Sequence, residues 1–453
     1  MRKQFAPTGL FADTAIYGAS WTKVASPTLT RTDGAVGLVA NVGVDDEVVR
    51  NDFNAVPIFG EMTEVTDVYN NKFIRIPKFY IKKVDTANFK SWQVSKTQHN
   101  GFYLPWCFWD FTNSQELDYF YIGKYKASLD GIRLASVSGE PPLVNTHIVD
   151  FRTYAQNNNT GGLLGYQQLD IHTVDILRTL MFIEFATLNM QTIMYGFANG
   201  RYGQETELAT DDTVDDNYID VSNATGANYR VGQTISVGTA RYGTQIFYGR
   251  TITAINADTP SAGTTRITFD GDPVSISTGN FLQNTGAISG FSGDIVASSG
   301  SPVSNSDGKY PCMYRGIESP YGDIWQFVDG VNISPTGDLR RAWVCADAGD
   351  YASNVFASPY EQIGYVNHDA NYYVQAMGWD ENYPYAVFPV SVQNSSVEYY
   401  CDYYYQSDSV NRVALVGGNW YFGSAAGPSF WRLNDSSGSA ALSLGGRLCR
   451  KGL

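Results

Sequence analysis

The sequence predicts a β-rich α+β protein of several units, and three observations predict it. The chain has 453 residues, more than one hydrophobic core usually serves. It carries 31 Tyr and 44 Gly but only 17% charged residues, well below the roughly one quarter of ordinary soluble chains. That mixture suits short strands joined by loops, because Tyr fills half-buried strand positions and Gly supplies turns. Finally, apolar residues recur in short runs bounded by Gly, Pro, Asn and Asp, and helical patterning is confined to two stretches.

Residues 1 to about 80 read as loops and short strands. The run Lys72-Phe-Ile-Arg-Ile-Pro-Lys-Phe-Tyr-Ile-Lys-Lys83 mixes apolar and charged residues and predicts one half-buried strand, with Pro77 at an edge or bulge. Leu117-Asp-Tyr-Phe-Tyr-Ile-Gly-Lys-Tyr125 predicts a second. A short helix is expected from Val149 to Gln156, after a turn at Glu140-Pro-Pro142. A longer one is expected from Thr173 to Gln191, with Thr173 as N-cap and Asp175 near the positive end of the dipole. Ile176, Leu177, Leu180, Phe182, Ile183, Phe185, Ala186 and Leu188 cover most of its surface, so it should lie deep in the core. From about Gln204, Thr, Asp, Gly, Asn and Ser dominate. Short β-rich runs follow, including Gln233–Val237, Ile246–Tyr248, Ile252–Ile255 and Thr265–Phe269. They predict a small β-barrel or sandwich at about 205–285, inserted into a larger domain, with a Gly/Ser-rich return from Gly286 to Gly308. Aromatics reappear from Tyr310 onward.

Charge and motifs exclude several functions. Lys plus Arg is 31 and Asp plus Glu is 45, a net charge of −14. Such a surface repels phosphate backbones, so no nucleic-acid partner is expected. No apolar run approaches 18 residues, so no membrane insertion is expected. The start, Met1-Arg-Lys-Gln-Phe-Ala, has a basic tip without a continuous apolar stretch, so no signal peptide is expected. Cys107, Cys312, Cys345, Cys401 and Cys449 are odd in number and widely spaced. They read as reduced, mostly buried thiols of a protein folded in a cytoplasm. His99, His147, His172 and His368 are scattered and read as ordinary surface or turn residues, with no metal implied. The run Asp211-Asp-Thr-Val-Asp-Asp216 lacks the Gly and distal Glu of a calcium loop and reads as exposed and acidic. Phosphate-binding loops, dinucleotide fingerprints and nucleophile elbows are missing. Paired carboxylates for glycoside hydrolysis remain open, since such pairs meet only in space.

Two stretches carry more information. Tyr314-Arg-Gly-Ile-Glu-Ser-Pro-Tyr-Gly-Asp-Ile-Trp-Gln-Phe-Val-Asp-Gly330 reads as a turn feeding a strand anchored by Trp325 and Phe327. In Val416–Leu448, glycines punctuate short strands, and Trp420, Phe430, Trp431, Leu433 and Leu448 could frame a core. These stretches resemble the formylglycine-generating-enzyme-like branch of the C-type lectin fold. Within it they resemble the C-terminal domains of phage tropism determinants and of retroelement-diversified proteins. The matching positions are Gly417, Gly418, Trp420, Gly423, Ala426, Gly427, Asn434, Ser436, Ser437, Gly445, Gly446, Arg447 and Leu448. Upstream, Ser136–Pro142, Phe151–Ala155 and the long helix match the opening of that fold in order.

The resemblance implies a lectin-like domain in two halves, 71–204 and 305–453. The inserted β domain and its return occupy 205–304, and an N-terminal virion-attachment segment occupies 1–70. It implies a bacteriophage tail or head fibre protein, made in the host cytoplasm and carried on the virion surface. The partners implied are a host bacterial surface receptor, glycan or protein, other virion proteins and two further copies in a homotrimer. The enzyme branch binds copper through cysteines, but 417–447 contains none, so no catalytic residue, metal or cofactor is expected. In diversified relatives, adenine randomisation reaches neither Lys, Glu, Gln, Met nor Trp. Between Tyr421 and Leu444 the first four are absent, and the one Trp fits the framework. This implies a variable region at about 417–448. Tyr421, Phe422, Ala425, Ser429, Arg432, Asp435, Gly438, Ala440 and Leu442 are then displayed, ligand-binding positions. Trp325, Gly417, Gly418, Trp420, Gly427, Trp431, Gly445 and Gly446 form the framework beneath them. The patch Tyr399-Tyr-Cys-Asp-Tyr-Tyr-Tyr405 either lines the same surface or packs between subunits. Two rival readings are a decoration or assembly protein without a receptor role, and a polysaccharide depolymerase.

Overall fold

The computed structural model describes residues 12–199, 207–240, 244–293, 295–336, 339–368, 371–407 and 410–453. About 40% of the chain is strand and 10% helix, so the β-rich α+β expectation holds at that level. The start of the N-terminal segment and the expected boundary near 204 lie outside the described residues.

Helix α1 spans Ile148–Gln156 and α2 spans Ile171–Phe185. All fifteen residues of α2 are buried. Its two acidic side chains are matched inside the protein, as buried charges require. Glu184 takes a two-pronged ion pair from Arg315 (2.6 and 2.7 Å) and a bond from Asn51 (2.8 Å), and Asp175 pairs with Lys83. His172 is buried rather than at the surface, with Nε2 3.1 Å from the Cys345 carbonyl.

The ends of α2 differ from the sequence expectation. The N-cap is Asp170, whose carboxylate accepts the Thr173 amide at 2.7 Å, and Thr173 lies inside the first turn. The helix stops at Ala186 (φ +53°) instead of continuing to Gln191. Beyond it the chain bonds to an N-terminal segment. Leu29 N–H donates to the Ala186 carbonyl and Leu188 N–H to Pro27. This tertiary pairing wins over local helix propensity.

The run 72–83 is two strands, not one. Lys72–Pro77 pairs with Thr63–Thr66 and Tyr119–Gly123, whereas Tyr80–Asp85 pairs with Lys90–Ser95 in another sheet. Pro77 ends the first ladder because it has no N–H to donate. The first of these sheets has the order 166–168, 448–451, 119–123, 72–77, 63–66, so the C-terminal strand Leu448–Lys451 closes it. Tyr17–Trp21 pairs with Lys90–Ser95, and Tyr17, Trp21, Phe53 and Phe59 share one apolar cluster with α2. The packing therefore shows no break at residue 70. The N-terminal strands are integral to the same core.

A further sheet carries the C-terminal half. Its order is Glu361–Val366, Leu339–Val344, Trp325–Thr336, Arg412–Val416, Trp431–Asp435 and Tyr404–Gln406, with Leu444–Gly445 alongside Trp325. Its neighbours are antiparallel except for the parallel pairs 404–406 with 431–433 and 325–326 with 444–445.

The stretch 207–287 forms its own five-stranded antiparallel sheet, ordered Tyr218–Ser222, Thr264–Phe269, Gln245–Ala257, Gln233–Gly238, Phe281–Ala287. The two expected runs at 246–248 and 252–255 are one long irregular strand, Gln245–Ala257. Ile219, Val221, Ile235, Val237, Phe247 and Phe269 belong to a cluster of their own beneath this sheet.

Candidate binding surface

The loop after strand Arg412–Val416 turns sharply at Gly417 and Gly418 (φ +94° and +78°). A Cβ on Gly418 would lie 2.7 Å from that of Ala426, so only glycine fits. Trp420 then plunges inward. It is 1% exposed, packs with Val144, Phe197, Ala287 and Ile324, and donates its backbone N–H to the Asp323 carbonyl at 2.9 Å. Gln191 grips the far side of the loop through the carbonyls of Gly423 (3.3 Å) and Ala426. Asp402 grips its end, accepting the Ser429 amide at 2.7 Å.

Arg447 braces the base. Its five donors reach Gln326 Oε1 and the carbonyls of Gly123, Lys124, Glu318 and Ser319 at 2.7–3.1 Å. Gly445 and Gly446 let neighbours approach: Ile324 Cδ1 would lie 2.3 Å from a Cβ on the first, and Gln168 Oε1 2.8 Å from one on the second. Trp325 and Trp431 are fully buried. Trp431 packs on Phe388 at 5.3 Å.

Above this base runs a ribbon of aromatic rings. Tyr373 meets Tyr403 at 5.0 Å, Tyr403 meets Tyr405 at 4.9 Å, Tyr405 meets Phe422 at 5.7 Å and Phe422 meets Tyr421 at 5.7 Å. Buried Phe430 backs the ribbon, 5.0 Å from Phe422 and 5.9 Å from Tyr405, and itself rests on Trp325 at 4.6 Å. Tyr421 is 54% exposed; Tyr373, Tyr403, Tyr405 and Phe422 are half-buried. Arg432 lies with its guanidinium 5.6 Å from the Trp325 ring, bonds Asn434 Oδ1 at 3.0 Å and pairs with Asp435. Burial raises the Tyr403 and Tyr405 hydroxyls above their ordinary value, so both stay protonated at neutral pH. The ribbon thus offers flat apolar faces, hydroxyls and one half-exposed cation whose charge Asp435 balances.

The structure divides the nine expected ligand positions. Tyr421, Phe422 and Arg432 meet at the ribbon. Gly438 is exposed and Ala440 and Leu442 half-buried on the loop 436–443, whose bonds run instead to Asn354 and Asn145. Ala425, Ser429 and Asp435 are not displayed, being 8%, 0% and 8% exposed. Ala425 packs inward while its carbonyl takes the Tyr403 amide, and Ser429 is tucked under the loop against Asp402. In strand Trp431–Asp435, residues 431, 433 and 435 face the core and 432 and 434 face out. This two-residue alternation was legible in Trp-Arg-Leu-Asn and would have turned Asp435 inward.

The tyrosine patch divides in the same way. Tyr400 and Tyr404 are buried, while Tyr403 and Tyr405 join the ribbon. Tyr373 carried no motif, and only the fold brings it to the site; Asp402 lies within the tyrosine patch, but its grip on the loop was not legible there. Among the described residues, no group of His, Cys, Asp and Glu side chains could hold a metal ion. No family model matches the chain, and no curated protein matches it.

Proposed function

We propose that this chain is a virion-surface fibre protein of a tailed bacteriophage. In this reading it binds a host bacterial receptor through the aromatic ribbon of a C-type-lectin-like domain, into which a small β-barrel or sandwich is inserted. The observation that carries the reading is the ribbon itself. Rigidly backed aromatic rings with an adjacent arginine are the side chains that dominate binding energy at interfaces. Their support is a buried frame of tryptophans, glycines and Arg447, so outward residues can vary at little cost to the fold. The resemblance of Gly417–Leu448 to diversified phage domains supplies the biological setting. Three copies per fibre would raise avidity through effective concentration.

The test is binding of the purified protein to bacterial host cells, beside a folded variant carrying Tyr421→Ala, Phe422→Ala and Arg432→Ala. The expected result is that the wild type binds and blocks phage adsorption and the variant does neither. Equal binding by both would move the site elsewhere, and binding by neither would favour a decoration role. A monomeric mass in solution at micromolar concentration would refute the trimer.

A further inference from the structure

A second chain segment lies against the binding loop from outside 417–448. The Gly423 amide donates to the Ala198 carbonyl at 2.8 Å. Gln191, 8% exposed, ties the two together: Nε2 donates to the Gly423 and Ala426 carbonyls, and Oε1 accepts the Gly196 amide at 3.2 Å. From behind, the Tyr195 amide donates to the Asn305 carbonyl at 2.7 Å, and the Ala198 and Asn199 amides to that of Gly308 at 2.8 and 2.7 Å. Tyr195, like Phe422, packs against the apolar cluster that holds Trp325 and Phe430. The segment is thus fixed relative to the ribbon.

Polar atoms edge the space that a side chain on Gly423 (φ +55°) would enter. A Cβ there would lie 3.2 Å from Asn199 Oδ1 and 3.5 Å from Tyr195 Oη. Tyr195 Oη donates to Asn199 Oδ1 at 3.4 Å and also meets the Ser424 side chain. Asn199 Nδ2 gives one N–H to the Asp307 carbonyl at 2.7 Å and has a second. Asn199 and Ser424 are exposed and Tyr195 is half-buried, so this edge opens to solvent next to Phe422.

The chemistry of this edge is narrow. Tyr195, Asn199 and Ser424 each both donate and accept, and none carries a charge. They suit groups that also do both, which is what sugar hydroxyls do, and they offer an ion no counter-charge. An extended peptide would need an open strand edge for its backbone. The nearest edge strand, Tyr404–Gln406, is already bonded on its outer side: the Tyr404 amide donates to the Tyr372 carbonyl at 2.8 Å and the Gln406 amide to Asn371 Oδ1 at 2.7 Å.

We propose that Tyr195, Asn199 and Ser424 form a polar subsite at the end of the ribbon, which takes the hydroxyls of a neutral sugar residue while the rings of Phe422 and Tyr421 cover its apolar face. The inference rests on the ribbon being the binding surface and adds to it residues from outside 417–448. Because Gln191 and the Gly308 carbonyl hold the segment in place, the subsite is formed in advance and binding spends little on ordering it.

The probe is the host cell, titrated with the labelled full chain before and after periodate, which cleaves vicinal diols, or protease. Binding should be lost after periodate and survive protease. Tyr195→Phe keeps the ring and removes the hydroxyl, so its half-saturating concentration should rise at least about twofold at an unchanged Tm. Asn199→Ala should act in the same direction; if it fails to fold, Tyr195→Phe decides alone. Binding that survives periodate but not protease would overturn the sugar. A Tyr195→Phe protein that binds like wild type, whatever its Tm, would overturn the subsite alone, provided that the Tyr421, Phe422 and Arg432 triple variant has lost binding. No binding by the wild type, or full binding by that triple variant, would overturn the ribbon reading and this inference together.

Discussion

Arg447→Met keeps the length of the side chain and removes every donor. The guanidinium is 1% exposed and makes five hydrogen bonds of 2.7–3.1 Å. After substitution the Lys124 carbonyl keeps the Glu318 amide as donor. Gln326 Oε1 and the carbonyls of Gly123, Glu318 and Ser319 each lose one. Burying an acceptor without its donor costs about 1–3 kcal/mol, so four could cost up to about 12 kcal/mol. Part of this is returned, because the variant no longer buries a charge: burial already lowers the Arg447 pKa to about 10. Deleting one member of a buried charged network typically costs about 3–5 kcal/mol, and that is the expected net loss. The assay is thermal melting by circular dichroism, read as Tm because a chain of this size need not unfold in two states. At 2–4 °C per kcal/mol for large domains, Tm should fall by at least about 5 °C. Arg447→Lys should fall nearly as far, since one ammonium cannot reach acceptors on both sides of the fork. A methionine variant melting within about 1 °C of wild type would refute the bracing role.

Other outcomes follow from the same geometry. Burial pushes the Asp323 carboxyl from 3.8 up to about 6, with Lys126 opposing. Folding then favours the protonated form, so this contribution is complete below 3.8 and is lost as pH rises through about 6. Asp323→Asn should therefore gain on wild type between about pH 4 and 6, by no more than about 3 kcal/mol; urea midpoints at several pH values check this, and a constant difference would contradict it. Gly427→Ala should destabilise the loop and weaken cell binding, because its Cβ would lie 2.1 Å from Asp402 Oδ1. Gly438→Ala, on an exposed turn with its nearest atom at 3.9 Å, should leave both unchanged; equal effects in the two would sink that contrast. Burial raises the pKa of all five cysteines, so a thiol reagent should label none in the native protein and five after denaturation.

The sequence by itself determined the β-rich class, the two helices, a separate β-rich stretch at about 205–285 and the buried role of Trp325, Trp420 and Trp431. These are local matters: hydrophobic periodicity, turn residues and side-chain size set them within a few neighbours. Where the ends of α2 fall was not local, since Asp170 and the strand-like segment around Pro27 and Leu29 compete for its termini. Nor was the split at Pro77, where one apolar run serves two sheets, or the weaving of residues 17–66 into the main core. The binding surface shows the same limit. Tyr421, Phe422 and Arg432 could be named from composition and motif, but the ribbon also needs Tyr373, Tyr403 and Tyr405, 16–59 residues away in the chain from Phe422, Tyr421 and Arg432. Only strand pairing decides such contacts. Tyr404–Gln406 runs parallel beside Trp431–Asp435, and the pleat sends alternate tyrosines inward and outward. Ala425, Ser429 and Asp435 share the small or polar character of displayed residues, and it was the register of those strands and the grip of Asp402 that turned them inward.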